Sequence, residues 1–336
     1  MSIEVSVIIP TCNRAESLRS CLESLKNQTF PGDSFEVIVV DNGSVDSTQM
    51  VCESQERNFA NFRYVLQLSP GLHAARNSGI DAATADCLLY TDDDTETFTT
   101  WVEASFACLR NSGYGLVTGK VLPRFGAVPP GWIQKKISSP QGFLFPALSL
   151  LDLGDQKKMI SPYYIWGCNF GVTRNLLMDA GGFHPDALPG ELRLFRGDGE
   201  IWIGDIAETH GVAAWYEPRA GVYHCIPERR LTQEYMIERH YLQGISDSYT
   251  CCRARYRKTP AATRKRARRI RLLCAVKRVL LLWPLRMLLP RRRRKEVSAS
   301  IQGYADHNKA VATQPSLKAW VTRDDYRRVE LNEFEK

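Results

Sequence analysis

The sequence predicts an α/β protein: a mainly parallel sheet with helices on both faces, followed by a basic helical extension at the C-terminal end. Three observations carry this. Short apolar runs alternate with helical-period stretches over the first 120 residues. Acidic residues stand where those runs end. The charge is also divided between an acidic body and a basic segment.

Residues 5–9 (Val-Ser-Val-Ile-Ile) form a β-branched apolar run closed by Pro10, as in a buried strand. Residues 15–26 space Leu18, Cys21, Leu22 and Leu25 at helical intervals. A second strand over 35–40 ends at Asp41-Asn42-Gly43-Ser44, with Asp46 or Ser47 able to cap the next helix. A third strand spans 62–68, an alanine-rich helix 72–85, and a fourth strand 87–90 ends at Thr91-Asp92-Asp93-Asp94. A helix over 98–110 and a strand over 114–121 complete this half. Residues 122–162, broken by Pro123, Pro129, Pro130, Pro140 and Pro146, read as loops over the sheet edge or the mouth of a site. Patterning returns at 163–172, with a helix over 174–180 and a Gly181-Gly182-Phe183 turn. A helix over 200–210 and strands over 212–216 and 221–223 follow. The expected division is a catalytic domain over 1–245, with halves meeting at 121/122, and an extension over 246–336.

The length of 336 residues supports a sizeable core. The N-terminus runs straight into a strand pattern, so no export signal is expected there. The ten cysteines show no CxxC pair and no zinc spacing, and read as reduced thiols of a cytosolic protein. Eighteen of the 44 Lys and Arg lie between 248 and 295, where there is no Asp or Glu. The rest holds 26 basic against 37 acidic residues, a net −11 behind the overall +7.

Ligands of such sheets bind at the carboxyl ends of the strands, where Asp41 and the Asp92-Asp93-Asp94 triplet fall. Adjacent carboxylates suit Mg²⁺ or Mn²⁺, hard cations that bind carboxylates together with substrate phosphates. Alone, the triplet could equally cap a helix, and Asp41-Asn42-Gly43-Ser44 could be only a turn. Arg76 and Asn77 open a helix on the same side; Arg76 is either a surface cation or a phosphate contact. Gly197-Asp198-Gly199-Glu200 offers two carboxylates, either of which could accept a proton or cap the following helix. His224 ends a strand, where a structural or a metal-binding imidazole could stand.

In order along residues 3–245, these segments resemble the family-2 glycosyltransferases with the GT-A fold. The resemblance runs through Val5-Ser6-Val7-Ile8-Ile9-Pro10-Thr11-Cys12-Asn13-Arg14, Val39-Val40-Asp41-Asn42-Gly43-Ser44, Ala75-Arg76-Asn77-Ser78-Gly79 and Leu89-Tyr90-Thr91-Asp92-Asp93-Asp94. It continues at Gly167-Cys168-Asn169-Phe170, Gly181-Gly182-Phe183, Asp198-Gly199-Glu200, and from Trp215 to His224. It implies a nucleotide-sugar donor, usually uridine-linked, and single-sugar transfer with inversion. Thr11 and Arg14 would line the nucleotide pocket, and Asp41 would read the base. Arg76, Asp92 and Asp93 would lie along the donor, Asp92 near the ribose or the metal, with Asp94 at the Mg²⁺ or Mn²⁺ and His224 at that ion or the diphosphate. Asp198 would deprotonate an acceptor hydroxyl on a glycan or lipid-linked chain. The sequence departs from the family at Gly197, where an acidic residue is common, and Glu200 is the alternative base. The Gln-x-x-Arg-Trp motif of processive members is missing, although Arg229-Arg230 follows His224.

Residues 261–295 flank an apolar stretch with arginines, but Lys277, Arg278, Pro284 and Arg286 interrupt it. An interfacial helix on an anionic membrane, at the inner face of the cell membrane, is therefore expected. The alternative is a helix packed on the catalytic domain. Nucleic acid fits poorly, for Trp283 is the segment's one stacking aromatic of the indole kind. Two other functions compete. A nucleotidyltransferase would need a glycine-rich basic loop where Pro10-Thr11-Cys12-Asn13-Arg14 stands, and a scaffold on a decayed enzyme would not need intact acidic positions.

Overall fold

A computed structural model describes residues 2–110, 115–139, 141–282 and 284–328; Tyr114, Pro140 and Trp283 lie outside the described residues. The first half alternates as expected. Strands β1 (Val5–Thr11), β2 (Phe35–Asp41), β3 (Phe62–Leu66) and β4 (Cys87–Thr91) alternate with α1 (Ala15–Leu25), α2 (Thr48–Gln55) and α3 (Leu72–Ala82). These four strands run parallel in the order β4-β1-β2-β3. Period-two alternation sorts β1 between two cores. Val5, Val7 and Ile9 pack with Leu18 and Leu22 of α1, whereas Ile8 packs on the opposite face with Ala75 and Ile80 of α3.

After β5 (Thr95–Thr97) and α4 (Trp101–Leu109), the expected single strand over 114–121 divides into β6 (Leu116–Thr118) and β7 (Val121–Phe125), which belong to different sheets. The stretch read as loops also carries structure: α5 (Gly131–Ile137), β8 (Phe143–Phe145), β9 (Leu150–Asp152) and β10 (Lys158–Ile160). Strands this short show no alternation. Pro123 is tolerated in β7 because β9 pairs with that strand only at Val121.

The remaining elements are β11 (Asn169–Thr173), α6 (Arg174–Ala180), α7 (Ile201–Thr209), β12 (Ala214–Tyr216), β13 (Val222–Ile226), α8 (Gln233–Tyr256), α9 (Ala261–Leu280), α10 (Arg291–Thr313) and α11 (Pro315–Thr322). The larger sheet continues from β4 to an antiparallel β11, then β6, β12 and β10. A second sheet has the order β5-β13-β7-β9-β8 and brings His224 beside the acidic triplet's strand ends.

The expected boundary at 245 falls inside α8, which crosses it without a break. The extension is built into the same body. A Cβ on Gly244 of α8 would lie 2.1 Å from the Ser300 carbonyl of α10, and one on Gly303 would lie 2.0 Å from the Tyr241 carbonyl. Only glycine allows these helices to cross so closely. Arg253 of α8 donates to the carbonyls of Val321 and Arg323, each at 2.8 Å, and its guanidinium lies over Trp202, Tyr249 and Tyr326. Among the described residues, no helix is long and apolar enough to cross a membrane.

Candidate active site

The turn after β1 meets the turn after β4. Thr11 Oγ1 donates to Asp93 Oδ2 at 2.8 Å, and Arg14 Nη1 donates to Asp93 Oδ1 at 2.9 Å and Asp94 Oδ2 at 3.0 Å. Burial pushes the Asp93 carboxyl up to about 7, with the Arg14 guanidinium opposing and the Asp94 charge reinforcing the rise. Asp93 is thus the triplet's inward anchor. Asp92 and Asp94 point to either side of it.

On one side, Asp94 meets β13. Its Oδ1 lies 3.5 Å from His224 Nε2, and Arg230 Nη2 reaches its Oδ2 at 3.1 Å. His224 Nδ1 lies 2.9 Å from the Leu148 carbonyl, which can only accept, so Nδ1 carries the proton. In the neutral ring Nε2 is then the lone pair, which Arg230 Nη1 approaches at 3.0 Å. A carboxylate and an imidazole nitrogen face one another, bridged by a guanidinium. Among the described residues no cluster of three or more His, Cys, Asp or Glu converges as a ready-made metal cage. A cavity of about 620 Å³ opens here beside Asn13, Arg14, Asp46 and Asp94.

On the other side, Arg76 Nη2 donates to Asp92 Oδ1 at 2.9 Å, and its Nη1 lies 3.7 Å from Glu200 Oε2. The guanidinium is buried, and Gly167 makes room for it, because a Cβ there would come within 1.9 Å of Nη2. Gly167 N also donates to Glu200 Oε1 at 3.2 Å. Burial raises the Glu200 carboxyl above the usual range, with Arg76 opposing and Asp186 adding to the rise. Glu200 lies in a second cavity, of about 890 Å³, with Tyr163, Trp166, Arg196 and Arg239.

Asp198 lines the same cavity but is otherwise engaged. Its Oδ1 is 2.8 Å from His184 Nδ1, and its Oδ2 accepts from Arg266 Nη2 at 2.7 Å and Thr250 Oγ1 at 3.1 Å. Burial alone would raise this carboxyl; Arg266 and His184 hold it well below the usual range. The Asp198 side chain is 4% exposed, against 17% for Glu200. Of the two carboxylates in the motif, the one facing the acidic triplet is Glu200.

Asp41, expected at the nucleotide base, also holds the backbone around it. It is 2% exposed, and its two oxygens accept from Ser44 N at 2.8 Å and Tyr64 Oη at 2.7 Å. It therefore anchors the 42–44 turn. Asn13, at φ 54°, joins the neighbouring turn through Ser44 Oγ and Val45 N. Thr11, Arg14, Asp93, Asp94 and His224 thus form one group and Arg76, Asp92 and Glu200 an adjoining one, with Asp41 at the edge. Two arginines escaped the sequence reading as site components. Arg230 showed only as a basic pair after His224, and Arg266 was hidden in a run of arginines.

The glycosyl transferase family 2 profile matches residues 6–181 of the chain. Glycosyltransferase AglE of Haloferax volcanii is 36% identical over 240 residues, which is 63% of this chain and 79% of that protein. The putative glycosyltransferase EpsH of Bacillus subtilis is 34% identical over 111 residues, 32% of this chain and 30% of that protein. The mannosyltransferase PcManGT of Pyrobaculum calidifontis, solved with GDP-Man and Mn²⁺, shares the fold: its TM-score is 0.55 at 18% identity, over 94% of this chain and 88% of that one.

Proposed function

The chain belongs to glycosyl transferase family 2 and has the GT-A type of fold, and from that premise we propose a single-sugar, inverting transfer from a UDP-linked donor to a lipid-linked or polysaccharide acceptor. That it is a glycosyltransferase using a nucleotide sugar follows from the family itself. The observation that carries the finer reading is Arg76, buried between Asp92 and Glu200. It sets a carboxylate with a raised pKa one guanidinium away from the triplet, open to a cavity large enough for a sugar acceptor.

In this reading the base is Glu200 rather than Asp198. The Glu200 carboxylate accepts the proton of the acceptor hydroxyl as that oxygen bonds to the anomeric carbon. The bond from that carbon to the diphosphate oxygen breaks, and the nucleoside diphosphate leaves with the electron pair. Thr11, Arg14 and the turn tied down by Asp41 frame the nucleotide, and Arg14 and Arg230 lie where negative charge accumulates on the leaving group.

A divalent cation fits the pair formed by Asp94 Oδ1 and His224 Nε2. The imidazole already has the tautomer of a ligand, its second nitrogen oriented by a carbonyl, and Arg230 stands as the positive charge between the two acceptors. Two protein donors leave further positions to the donor's phosphate oxygens, the usual arrangement for Mg²⁺ and similarly for Mn²⁺. When bound, the ion supplies charge neutralisation of the leaving diphosphate. The exposed apolar face of α9, with Leu272, Val276 and Val279 among arginines, supports a peripheral seat on an anionic membrane.

Calorimetry with UDP and GDP, with and without Mn²⁺, tests the donor half. UDP is expected to bind more tightly with the ion, and Asp94→Ala or His224→Ala to remove that gain. Equal gains in wild type and both variants would end the metal assignment, and tighter binding of GDP would end the uridine one.

A further inference from the structure

Behind Arg230 lies a cavity of about 280 Å³ between α8 and the 3₁₀ turns Gly190–Phe195 and Glu228–Leu231. Five guanidiniums line it, from Arg193, Arg196, Arg229, Arg230 and Arg239, against the single carboxylate of Glu238. Two of the five are compensated from outside: Arg196 pairs with Asp186 at 2.6 Å and Arg230 with Asp94 at 3.1 Å. Arg193 lies over the Tyr241 ring at 5.1 Å. Arg193, Arg229 and Arg239 make no ion pair with a carboxylate among the described residues. The Nε of Arg239 is buried and donates to no acceptor there, a cost that a bound oxygen ligand would relieve.

Arg196 and Arg239 also line the larger cavity that holds Glu200, whereas Arg230 touches Asp94 and His224. The small cavity therefore lies between the acceptor side and the diphosphate side. Its volume falls just below the roughly 300–1,000 Å³ of a whole-ligand pocket. It suits one charged group of a larger molecule. Guanidinium forks match phosphate oxygens in pairs.

We propose that this arginine cavity is an anion site for a phosphate or diphosphate group of the acceptor, distinct from the seat of the donor's own diphosphate. The inference rests on the transferase reading and narrows its acceptor to a phosphate-bearing one. Arg239 and Arg193 hold the phosphate, while the acceptor's hydroxyl extends into the larger cavity toward Glu200.

The test uses the full chain with inorganic pyrophosphate as probe, titrated by calorimetry while UDP or GDP, whichever binds, is saturating. Pyrophosphate is expected to bind beside the nucleotide. Arg239→Gln and Arg193→Gln should each weaken it about tenfold or more while leaving nucleotide affinity within about twofold. Arg229→Gln, at an exposed residue that lines both this cavity and the one beside Asp94, repeats the pyrophosphate titration alone should the others unfold. Displacement of pyrophosphate by the nucleotide, or unchanged affinity in all three variants, overturns the proposal. Nucleotide binding without pyrophosphate binding overturns the anion site alone, whereas loss of nucleotide binding in the wild type strikes the transferase reading itself. A second arm separates an acceptor phosphate from a free one. With a synthetic glycosyl-diphosphate lipid and the same glycoside on an uncharged chain, Arg239→Gln should raise KM only for the former. An equal KM effect on both overturns the acceptor assignment.

Discussion

Arg266 of α9 donates through one Nη2 to both Asp198, at 2.7 Å, and Asp205 of α7, at 2.6 Å. Its Nε reaches Asp205 at 3.1 Å, and Thr263 and Tyr163 complete the hydrogen bonding of that carboxylate. The arginine is a clasp between the basic segment and the Gly197-Asp198-Gly199-Glu200 motif. Removing one partner of such a buried pair leaves an uncompensated charge, which typically costs about 3–5 kcal/mol. Arg266→Met, which strands both carboxylates, is therefore expected to unfold at markedly lower urea concentration, and Asp198→Asn, which leaves Arg266 paired with Asp205, at a less reduced one. An unchanged midpoint for Arg266→Met would sink the clasp.

The same cluster sets an acid limit. His184, stacked on Trp202, is held down to about 3 by burial and by Arg253, although Asp198 opposes. A folded pKa below the ordinary 6.5 means that the unfolded chain binds the proton more readily. Stability is then full above about pH 6.5 and falls as pH drops from there toward 3. Asp198, also depressed, adds a loss that begins as pH falls into the ordinary carboxylate range and continues below it. Urea midpoints between pH 8 and 4 are expected to fall on acidification, and His184→Gln should flatten the decline above pH 5. A midpoint insensitive to pH over that range contradicts the assignment.

Glu200→Gln separates base from scaffold. Positioned general bases contribute roughly 10²–10⁴-fold, so transfer should fall by that factor while nucleotide affinity and the urea midpoint stay close to wild type. The raised pKa of Glu200 predicts that the acid limb of kcat/KM lies above the ordinary carboxylate value of about 4.3. Activity is lost as pH falls through that limb, and the limb should vanish in the residual activity of Glu200→Gln. If Asp198→Asn, once refolded, abolishes transfer and Glu200→Gln does not, the roles are reversed.

Much of the donor half was legible because its signals are local. The β1, β2 and β4 strands are buried on both faces and read as continuous apolar runs, and Asp41 and Asp92–Asp94 end them. The different surroundings of Asp198 and Glu200 were not legible. They depend on Arg266 arriving from 68 residues further along the chain, and a charge run carries no sign of which arginine turns inward. The second sheet was hidden for another reason: three-residue strands such as β8 and β9 have no period to detect. Nor could the extension be seen as part of the core, since its evidence is the backbone approach at Gly244 and Gly303 rather than an apolar stripe.

That approach gives a prediction of its own. Gly244→Ala sets a methyl 2.1 Å from the Ser300 carbonyl oxygen, and Gly303→Ala sets one 2.0 Å from that of Tyr241, so backbone must shift in each. Overpacking of this kind typically costs about 1–3 kcal/mol. Because α8 carries Thr250 and Arg239, the same variants should weaken acceptor binding more than nucleotide binding. Gly32→Ala, with nothing within 4 Å of the added carbon, is the control. Equal urea midpoints for Gly244→Ala and Gly32→Ala would show that the helices can part without cost.

The clasp also decides how the proposed membrane seat must be tested. Deleting residues 261–295 would remove Arg266 and expose Asp198 and Asp205, so lost vesicle binding would report unfolding. The informative substitutions lie on the outward face. Leu272, Val276 and Val279 fall at i, i+4 and i+7 along α9 and are 66%, 47% and 49% exposed; Leu282 and Leu288 extend the apolar surface beyond the helix at 61% and 78%. Each buried methylene is worth roughly 0.8 kcal/mol, so replacing Leu272, Val276 and Val279 together by Gln should weaken binding to phosphatidylserine vesicles by well over tenfold. The arginines on either side predict weaker binding to phosphatidylcholine vesicles and a loss with added salt. The urea midpoint should not move, because none of the three side chains is buried. Sedimentation that is equal for the triple variant and the wild type, on either lipid, would leave the apolar face without a role at a membrane.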